Sequence, residues 1–353
     1  MDINKYRNAI NQAIEDGVCF FFYRMPDTDV FSFGVQTDDT FVSSTGFKIV
    51  PFVESSKSTV VKIYAEHSID EYLRMGHIHG KFFQDGCQQT STSYEDYIKS
   101  AEQTIRLFET GELRKMVLSR ILVRSYQKGD IDWGTVVINL TLKYPHAFVF
   151  AFCSPETGAW LGASPEILGR YHDSVFSTMA LAGTKPTGKG VWTEKEEKEQ
   201  DYVSSYISNI IERYGFDYKM SEKHTRCAGN VEHLCNDFLV NVPDLKNAMA
   251  LVNSLHPTPA LAGIPKESAI RHIQQIERHS RTFYGGYLGP FTTDGFDFFV
   301  NLRSLSFSSN NYVLYIGGGL TIDSVPEKEW GETQQKAQTL LDVINDNQLL
   351  LVR

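Results

Sequence analysis

The close spacing of the strand-forming segments constrains the fold of this chain more than any other feature of its sequence. Apolar segments at 148–153, 158–162, 167–171 and 175–181 follow one another with only a few residues between them. A parallel neighbour needs a crossover of a dozen or more residues, so these short connections indicate antiparallel pairing. The sequence therefore predicts an α+β protein with large antiparallel sheets rather than a doubly wound parallel sheet.

Helical periodicity supplies the second class of element. Apolar residues recur at helical spacing in five segments, which predicts helices at 3–16, 94–108, 194–214, 265–277 and 326–345. Further strands are predicted at 18–23, 115–123, 284–289, 296–306 and 312–316, with a loop over 184–190. No repeat, low-complexity tract or linker divides the chain, so we expect a single domain over 1–353, although an N-terminal subdomain reaching about residue 90 remains an alternative.

Charge and composition exclude several partners. The 353-residue chain has a formal net charge of -9 and no basic patch, which argues against nucleic acid as a partner but not against a small anionic ligand. The N-terminus lacks the pattern of a signal peptide, and the apolar runs are too short for a membrane span. The five cysteines form no paired framework, so we expect free thiols in a reducing cytoplasm.

Residues 183–190 nearly match a phosphate-binding loop that follows a strand. The hydroxyl residue that would hold magnesium in such a loop is replaced by Gly190, and Pro186 removes a backbone donor. We therefore expect no nucleotide site there.

A second loose group contains His224, Cys227, His233 and Cys235, but its spacing matches no standard zinc site. Packed or solvent-exposed side chains are the favoured interpretation of these four residues.

Carboxylates on two predicted helices are candidates for metal binding. Glu199 lies one turn before Val203 on the apolar side of its helix, although a surface charge in an acidic run is the simpler interpretation. Glu329, Glu332 and Lys336 share a face of the last helix, where an exposed ion pair would also explain them. The alternative is a pair of carboxylates that holds a hard cation such as Mg²⁺ beside a lysine that holds a substrate carboxylate.

Two further charged residues occupy positions from which they could enter a cavity. Lys115 begins a largely apolar strand, and Glu166 follows a Ser-Pro turn. A desolvated lysine can serve as a general base, and a glutamate in an apolar pocket can stay protonated and act as an acid. Alone, each is more often a surface charge.

Taken together, these segments resemble the chorismate-utilising enzyme family. Eight short motifs occur in the order that the family shows, across roughly residues 94–353. They are KMVLSR at 115–120, GASPE at 162–166, LAGT at 181–184, HPTPA at 256–260, FYGG at 283–286, NLR at 301–303, GGG at 317–319 and EWGET at 329–333. Residues 94–353 would thus form the catalytic core, and residues 1–90 a variable N-terminal part.

The resemblance implies a fold, a metal and a set of roles. The fold would be two large antiparallel sheets stacked face to face, with helices outside. One Mg²⁺ would be bound by Glu199 and Glu332, with Glu329 close by. Lys115 would be the general base that activates water to attack ring carbon C2 of chorismate, and Glu166 the general acid that protonates the departing C4 hydroxyl.

The family also implies a set of substrate contacts. The ring carboxylate of chorismate would meet Gly183 and Thr184, and His256 would line the cleft. The pyruvyl carboxylate would be bound by Arg303, Lys336 and the backbone of Gly317, Gly318 and Gly319.

The implied activity is that of an isomerase that converts chorismate to isochorismate. Ammonia-using members work with a glutamine amidotransferase, and no such segment is present, so we expect no such partner. The aminodeoxychorismate type has Lys before the Gly-Thr pair, where this chain has Ala182. A salicylate-forming enzyme, which goes on to expel pyruvate, and a catalytically inactive chorismate-binding relative remain the alternatives. We expect a monomer, and the sequence leaves open whether the product serves menaquinone or siderophore biosynthesis.

One position departs from the family pattern. The family commonly has His after the first metal-binding glutamate, and this chain has Gln200. If that His orients the carboxylate, Gln200 could replace only one of its hydrogen bonds, which puts the metal affinity in question.

Overall fold

The computed structural model describes residues 2–55, 58–78, 89–188, 190–228 and 231–346. The helices within these ranges are α1 (Ile3–Asp16), α2 (Ile69–Met75), α3 (Tyr94–Glu109), α4 (Trp133–Lys143), α5 (Glu194–Arg213), α6 (Leu245–Leu255), α7 (Lys266–Ile276) and α8 (Pro326–Asn345). The strands are β1 (Cys19–Arg24), β2 (Phe31–Gln36), β3 (Gly46–Val50), β4 (Val61–Tyr64), β5 (Lys115–Ser125), β6 (Phe148–Ser154), β7 (Gly158–Ser164), β8 (Ile167–His172), β9 (Val175–Pro186), β10 (Tyr218–Met220), β11 (His224–Ala228), β12 (Val231–Asn241), β13 (Gly263–Ile264), β14 (Tyr287–Phe291), β15 (Phe296–Val300), β16 (Ser304–Phe307) and β17 (Asn311–Leu320).

These strands form two large sheets. An eight-stranded sheet has the order β13-β5-β17-β16-β7-β6-β1-β2, and a nine-stranded sheet has the order β10-β12-β9-β8-β15-β14-β3-β4, with β11 also paired to β12. Neighbouring strands pair antiparallel, as in β6 with β7 and β8 with β9. The predicted α+β fold with two large antiparallel sheets is confirmed.

Aromatic side chains hold the two sheets together. Phe148 and Phe150 of β6 and Trp160 of β7 face Phe47 of β3 and Phe299 of β15, and all of them are buried. The rings of Phe148 and Phe299 stack across the sandwich with their centroids 4.0 Å apart. Burial of large apolar rings is the main stabilising contribution available to a stack of sheets, so this layer fixes how the sheets face each other.

Helices cover the outer faces of both sheets. The eight-stranded sheet packs its outer face against α1, α4 and α8, and the nine-stranded sheet packs against α5 and α6. The amphipathic patterns explain this arrangement, because each helix presents its apolar face to the sheet. In the part of the chain that the structure describes, no helix is both long and apolar enough to cross a membrane.

One predicted strand is wrong in an informative way. The segment 296–306 was expected to be continuous, but β15 ends at Val300 in one sheet and β16 begins at Ser304 in the other. Arg303 adopts a φ of 48°, which turns the chain from one sheet to the next. Apolar periodicity does not distinguish a single strand from two strands in different sheets.

Other boundaries differ from the predictions as well. Strand β9 continues to Pro186, so residues 184–186 are strand rather than loop, and β14 begins at Tyr287 rather than at residue 284. The region from β10 to β12 and the helices α4 and α6 were not predicted at all. The N-terminal strands are divided between the sheets, with β1 and β2 at an edge of one and β3 and β4 at an edge of the other.

The stacked pair across the sandwich can be tested by truncation. We expect Phe299→Ala to lower the free energy of unfolding by about 3–5 kcal/mol, because the cavity cannot close between two rigid sheets. Urea denaturation followed by circular dichroism measures the change. Val191→Ala is the matched control, since Val191 is exposed and its truncation should leave the midpoint almost unchanged. A small effect of Phe299→Ala would show that the ring stack contributes little.

Candidate active site

A cavity between the two sheets gathers most of the predicted site residues. Strands β5 and β17 form one wall, the ends of β9 and β12 form another, and helices α5 and α8 contribute side chains above them. The predicted residues that line it are Lys115, Glu166, Gly183, Thr184, Glu199, Arg303, Gly317, Gly318, Gly319, Glu332 and Lys336.

Two glycines let charged side chains reach this cavity. Gly183 has a φ of +69°, and a Cβ there would lie 3.0 Å from the Cβ of Glu196, so only glycine lets α5 approach β9 so closely. On the opposite wall, a Cβ at Gly319 would lie 2.8 Å from Oε1 of Glu199. The absence of side chains at these two positions therefore creates the space in which the Glu199 carboxylate sits.

Three carboxylates converge over the same stretch of β17. A carboxylate oxygen of Glu329 and one of Glu332 each lie 3.8 Å from the place of a Cβ on Gly318, and Glu199 lies over the next residue, Gly319. Oxygen ligands from two helices suit Mg²⁺, which usually takes one or two protein carboxylates and completes its shell with water and substrate. The residues present therefore fit a magnesium site. Glu329 is buried, and its Oε1 accepts a 2.7 Å hydrogen bond from Ser324.

Lys115 is buried beside one of these carboxylates. Its side chain is only 1% exposed, and its Nζ lies 2.8 Å from Oε1 of Glu199. An unpaired ammonium would be costly to bury, so the carboxylate stabilises the lysine inside the protein. The first residue of β5 thus enters the cavity instead of pointing to solvent.

Glu166 is buried as well, with 4% of its surface exposed. It follows β7 in a short connection, where the backbone N–H of Val300 donates to its carbonyl at 3.0 Å. Burial raises the pKa of its carboxyl group to about 8, although the charge of Lys115 opposes the shift. Glu166 is therefore protonated at neutral pH and can donate a proton.

Cationic groups also line the cavity. Arg303 is positioned by the turn between the sheets and donates from Nη1 to Oγ1 of Thr339 at 3.1 Å. Lys336 lies 2.6 Å from Glu332 and donates to the carbonyl oxygen of Gly317 at 3.1 Å. An arginine and a lysine beside the glycine backbone of β17 form a site suited to a carboxylate ligand.

The structure adds a histidine that sequence analysis did not assign to the site. His233 of β12 lines the cavity, and its Nδ1 lies 2.9 Å from the carbonyl oxygen of Gly183 and 3.2 Å from Oγ1 of Thr184. Burial, together with the charges of Arg303 and Lys336, lowers its pKa to about 3, so the ring is neutral. A carbonyl only accepts, so Nδ1 carries the proton and Nε2, which is buried without a partner among the described residues, is an acceptor.

Tyr284, in the FYGG motif, is a second cavity residue that the sequence prediction does not include. It lines the same cavity, and burial raises the pKa of its phenol to about 12. The motif itself was the signal that could have identified it. For His233 the sequence carried no such signal, because the histidine belongs to no recognised motif.

Contrary to the prediction, His256 is not among the described residues that line the cavity. Its Nε2 lies 3.1 Å from the carbonyl oxygen of Pro51, and its ring packs edge-on against Tyr287. Burial lowers its pKa to about 4, so the ring is neutral. The physical reason is that α6 ends at Leu255, and the following residue turns toward the N-terminal segment instead of the cleft.

Gln200 acts on the sheet rather than on the carboxylate next to it. It is fully buried, and its Nε2 donates to the carbonyl oxygen of Ala180 at 2.8 Å and to Oδ1 of Asn236 at 3.1 Å. It therefore anchors α5 to β9 and β12. This contact fixes the helix that carries Glu199, so Gln200 positions that carboxylate indirectly.

Comparisons with known proteins agree with this geometry. A family profile described as "Chorismate binding enzyme" matches residues 71–345, well over half of the chain. The protein named isochorismate synthase EntC of Escherichia coli (strain K12) is 29% identical over 265 residues, which cover 71% of this chain and 67% of that protein.

Two solved structures share the fold. DhbC of Bacillus anthracis, a candidate 2,3-dihydroxybenzoate-specific isochorismate synthase, superposes with a TM-score of 0.78 at 24% identity and covers 96% of this chain and 99% of its own. MenF of Escherichia coli, the menaquinone-specific isochorismate synthase, superposes with a TM-score of 0.77 at 19% identity over 95% of this chain and 91% of its own.

The glycine at the carboxylate cluster provides a test of the cation site. We expect Gly319→Ala to weaken Mg²⁺ binding at least tenfold, because the new methyl group would displace the Glu199 carboxylate. Isothermal titration with Mg²⁺ measures the affinity. Gly331→Ala is the matched control, since nothing lies within 4 Å of the added Cβ although Glu332 is the next residue. Equal affinities for the two variants would contradict the assigned cation site.

Proposed function

This chain belongs to the family of chorismate-binding enzymes, and we propose that it is an isochorismate synthase, an isomerase that uses Mg²⁺ to convert chorismate to isochorismate. The observation that carries the proposal is the pair formed by Lys115 and Glu166. A buried lysine and a buried, protonated glutamate share one cavity with a cluster of carboxylates. Replacement of one hydroxyl by another needs a base for the incoming water and an acid for the departing group.

In the proposed reaction the two residues act on opposite ends of the hydroxyl exchange. Lys115 would take a proton from the water that attacks ring carbon C2. Glu166 gives its proton to the hydroxyl that leaves C4, and the ring double bonds shift between the two carbons. Hydroxide is a poor leaving group, so the protonated state of Glu166 is the feature that makes this exchange feasible at neutral pH.

Substrate binding would use the charged groups that line the cavity. Chorismate carries two carboxylates, and Arg303 and Lys336 would bind the pyruvyl carboxylate with the β17 backbone. Gly183 and Thr184 would meet the ring carboxylate. Mg²⁺ held by Glu199 and Glu332, with Glu329 adjacent, would neutralise the ring carboxylate and fix the ring in place.

The relatives support the water-using reaction. Both EntC and MenF of Escherichia coli are named isochorismate synthases. No specific observation favours salicylate formation or a purely binding function.

The decisive experiment is to incubate the purified chain with chorismate, with and without Mg²⁺, and to separate the products by chromatography. Isochorismate in equilibrium with chorismate, formed only with Mg²⁺, is the expected result. Salicylate with pyruvate would reassign the chain to the pyruvate-eliminating class. A requirement for ammonia, or no turnover at all, would overturn the proposal.

A variant of Lys115 can distinguish a loss of catalysis from a loss of chorismate binding. We expect Lys115→Ala to lower kcat by about 10²–10⁴-fold, the usual contribution of a general base, while chorismate still binds. Steady-state kinetics and equilibrium binding of chorismate give the two quantities. Lys246→Ala, at an exposed position of α6, should retain full activity. Wild-type turnover in the Lys115→Ala variant would show that another group is the base.

The pKa of Glu166 should set the alkaline limit of the pH range in which the protein is active. Protonated Glu166 is the active form, so kcat/KM should fall as the pH rises through about 8, where the carboxyl group loses its proton. The residual activity of Glu166→Gln should lack this alkaline limb, because an amide does not titrate. A pH profile of both proteins checks this, and an unchanged limb in the variant would assign it to a different group.

A further inference from the structure

We propose that His224, Cys235 and Asp237 form a second metal site, one that binds a transition metal such as Zn²⁺. The site is separate from the carboxylate cluster of the active site and does not rest on the proposed function. From the sequence, packed or exposed side chains are the favoured interpretation of the loose His/Cys group. The structure divides that group, because His233 enters the active-site cavity while His224 and Cys235 meet a carboxylate that sequence spacing did not suggest.

The register of two strands brings the three side chains together. His224 of β11 pairs directly with Cys235 of β12. Asp237 follows Cys235 by two residues on the same strand, so both side chains point to the same face of the sheet. A cross-strand neighbour and an i, i+2 neighbour thus converge on one point from a rigid backbone.

The distances are close to those of a metal site without its ion. The three ligand atoms lie within 4.8 Å of one another. Nε2 of His224 is 3.5 Å from Oδ2 of Asp237, and Sγ of Cys235 is 3.9 Å from Oδ1. Ligands of a tetrahedral zinc ion lie about 3.5 Å apart, given bonds of 2.0–2.3 Å, so small side-chain rotations are sufficient.

The histidine is already oriented as a metal ligand. Its Nδ1 lies 3.2 Å from the carbonyl oxygen of Glu222. Since a carbonyl only accepts, Nδ1 carries the proton and Nε2 presents its lone pair toward the carboxylate. Metal-binding histidines generally show this arrangement, with the second nitrogen donating to a carbonyl or carboxylate.

The chemistry of the ligands selects the class of metal. A sulfur, an imidazole nitrogen and a carboxylate oxygen suit Zn²⁺ and related ions, whereas Mg²⁺ prefers oxygen alone. Cys235 is buried at the base of the cluster, while His224 and Asp237 are partly exposed and leave a fourth position for water. A thiolate and a carboxylate together neutralise a divalent ion.

Arg226 lies close to the cluster but leaves the needed oxygen of Asp237 accessible. Nη1 of Arg226 lies 3.7 Å from Oδ1 of Asp237, whereas the oxygen nearest to His224 is Oδ2. Burial and the Asp237 carboxylate raise the pKa of Cys235 to about 12, so the thiol is protonated in the absence of metal. Metal binding should therefore release a proton.

The position of the site suggests what the metal does. It would join β11 to β12, the strand that also carries His233 of the active-site cavity. A bound ion should stabilise this pair of strands and, through mass action, the whole fold.

Cobalt is the sharpest probe, because a sulfur–Co²⁺ bond gives a charge-transfer absorption that carboxylate ligands do not. We expect the protein to show this band with Co²⁺, together with a rise in the melting temperature on addition of Zn²⁺. Both effects should persist in Glu199→Gln, which alters only the active-site cluster. They should be lost in Cys235→Ser and in His224→Ala.

Cys227→Ser is the matched control, since Cys227 is an exposed thiol on the same strand as His224 but on the other face. This variant should keep both the band and the thermal shift. Absence of the band in the unaltered protein, or its persistence in Cys235→Ser, would overturn the proposal. If Cys235→Ser unfolds, His224→Ala alone provides the test, because its side chain is partly exposed and its loss should not affect folding.

Discussion

A buried ammonium group needs an opposite charge beside it, and this requirement organises the site. Lys115 is almost without solvent contact, and the Glu199 carboxylate at 2.8 Å compensates its charge. That carboxylate can approach only because β17 has no side chain at Gly319 and because α5 packs closely on Gly183. The ion pair, the position of α5 and the two glycines therefore depend on one another, and a change in one would disturb the others.

The two sheets hold the proposed acid and the proposed base in surroundings that differ in charge. Lys115 lies on β5 of one sheet and has a carboxylate as its partner. Glu166 lies in the connection that leads from β7 to the other sheet, and its burial raises its pKa enough to keep it protonated. Arg303 reaches the same cavity because the chain turns there from one sheet to the other. Since each group comes from a different element, the rigidity of the aromatic layer between the sheets sets the accuracy of their placement.

Much of the fold follows from local sequence, but the surroundings of its charged residues do not. Periodicity identifies helices such as α1 and α8, and short connections identify antiparallel strands. Neither can show that the run through Asn301 changes sheets. Composition alone favoured a surface position for Lys115 and Glu166, because burial depends on contacts between distant segments, and only the ordered motifs indicated otherwise. His233 and His256 illustrate this limit. Local sequence does not show which of the two imidazoles lines the cavity, and the structure places His233 there and His256 against Pro51.

The division of the N-terminal strands between both sheets has a consequence for how the chain folds during synthesis. Strand β3 pairs with β14, which lies near the other end of the chain, and β1 pairs with β6. The nine-stranded sheet therefore cannot be completed until most of the polypeptide has left the ribosome. Until then, the edge of β3 that pairs with β14 has no partner strand. Such late, long-range pairing is slow and exposes apolar strands to other chains. Strand β3 is thus made early in synthesis but finds its partner β14 late.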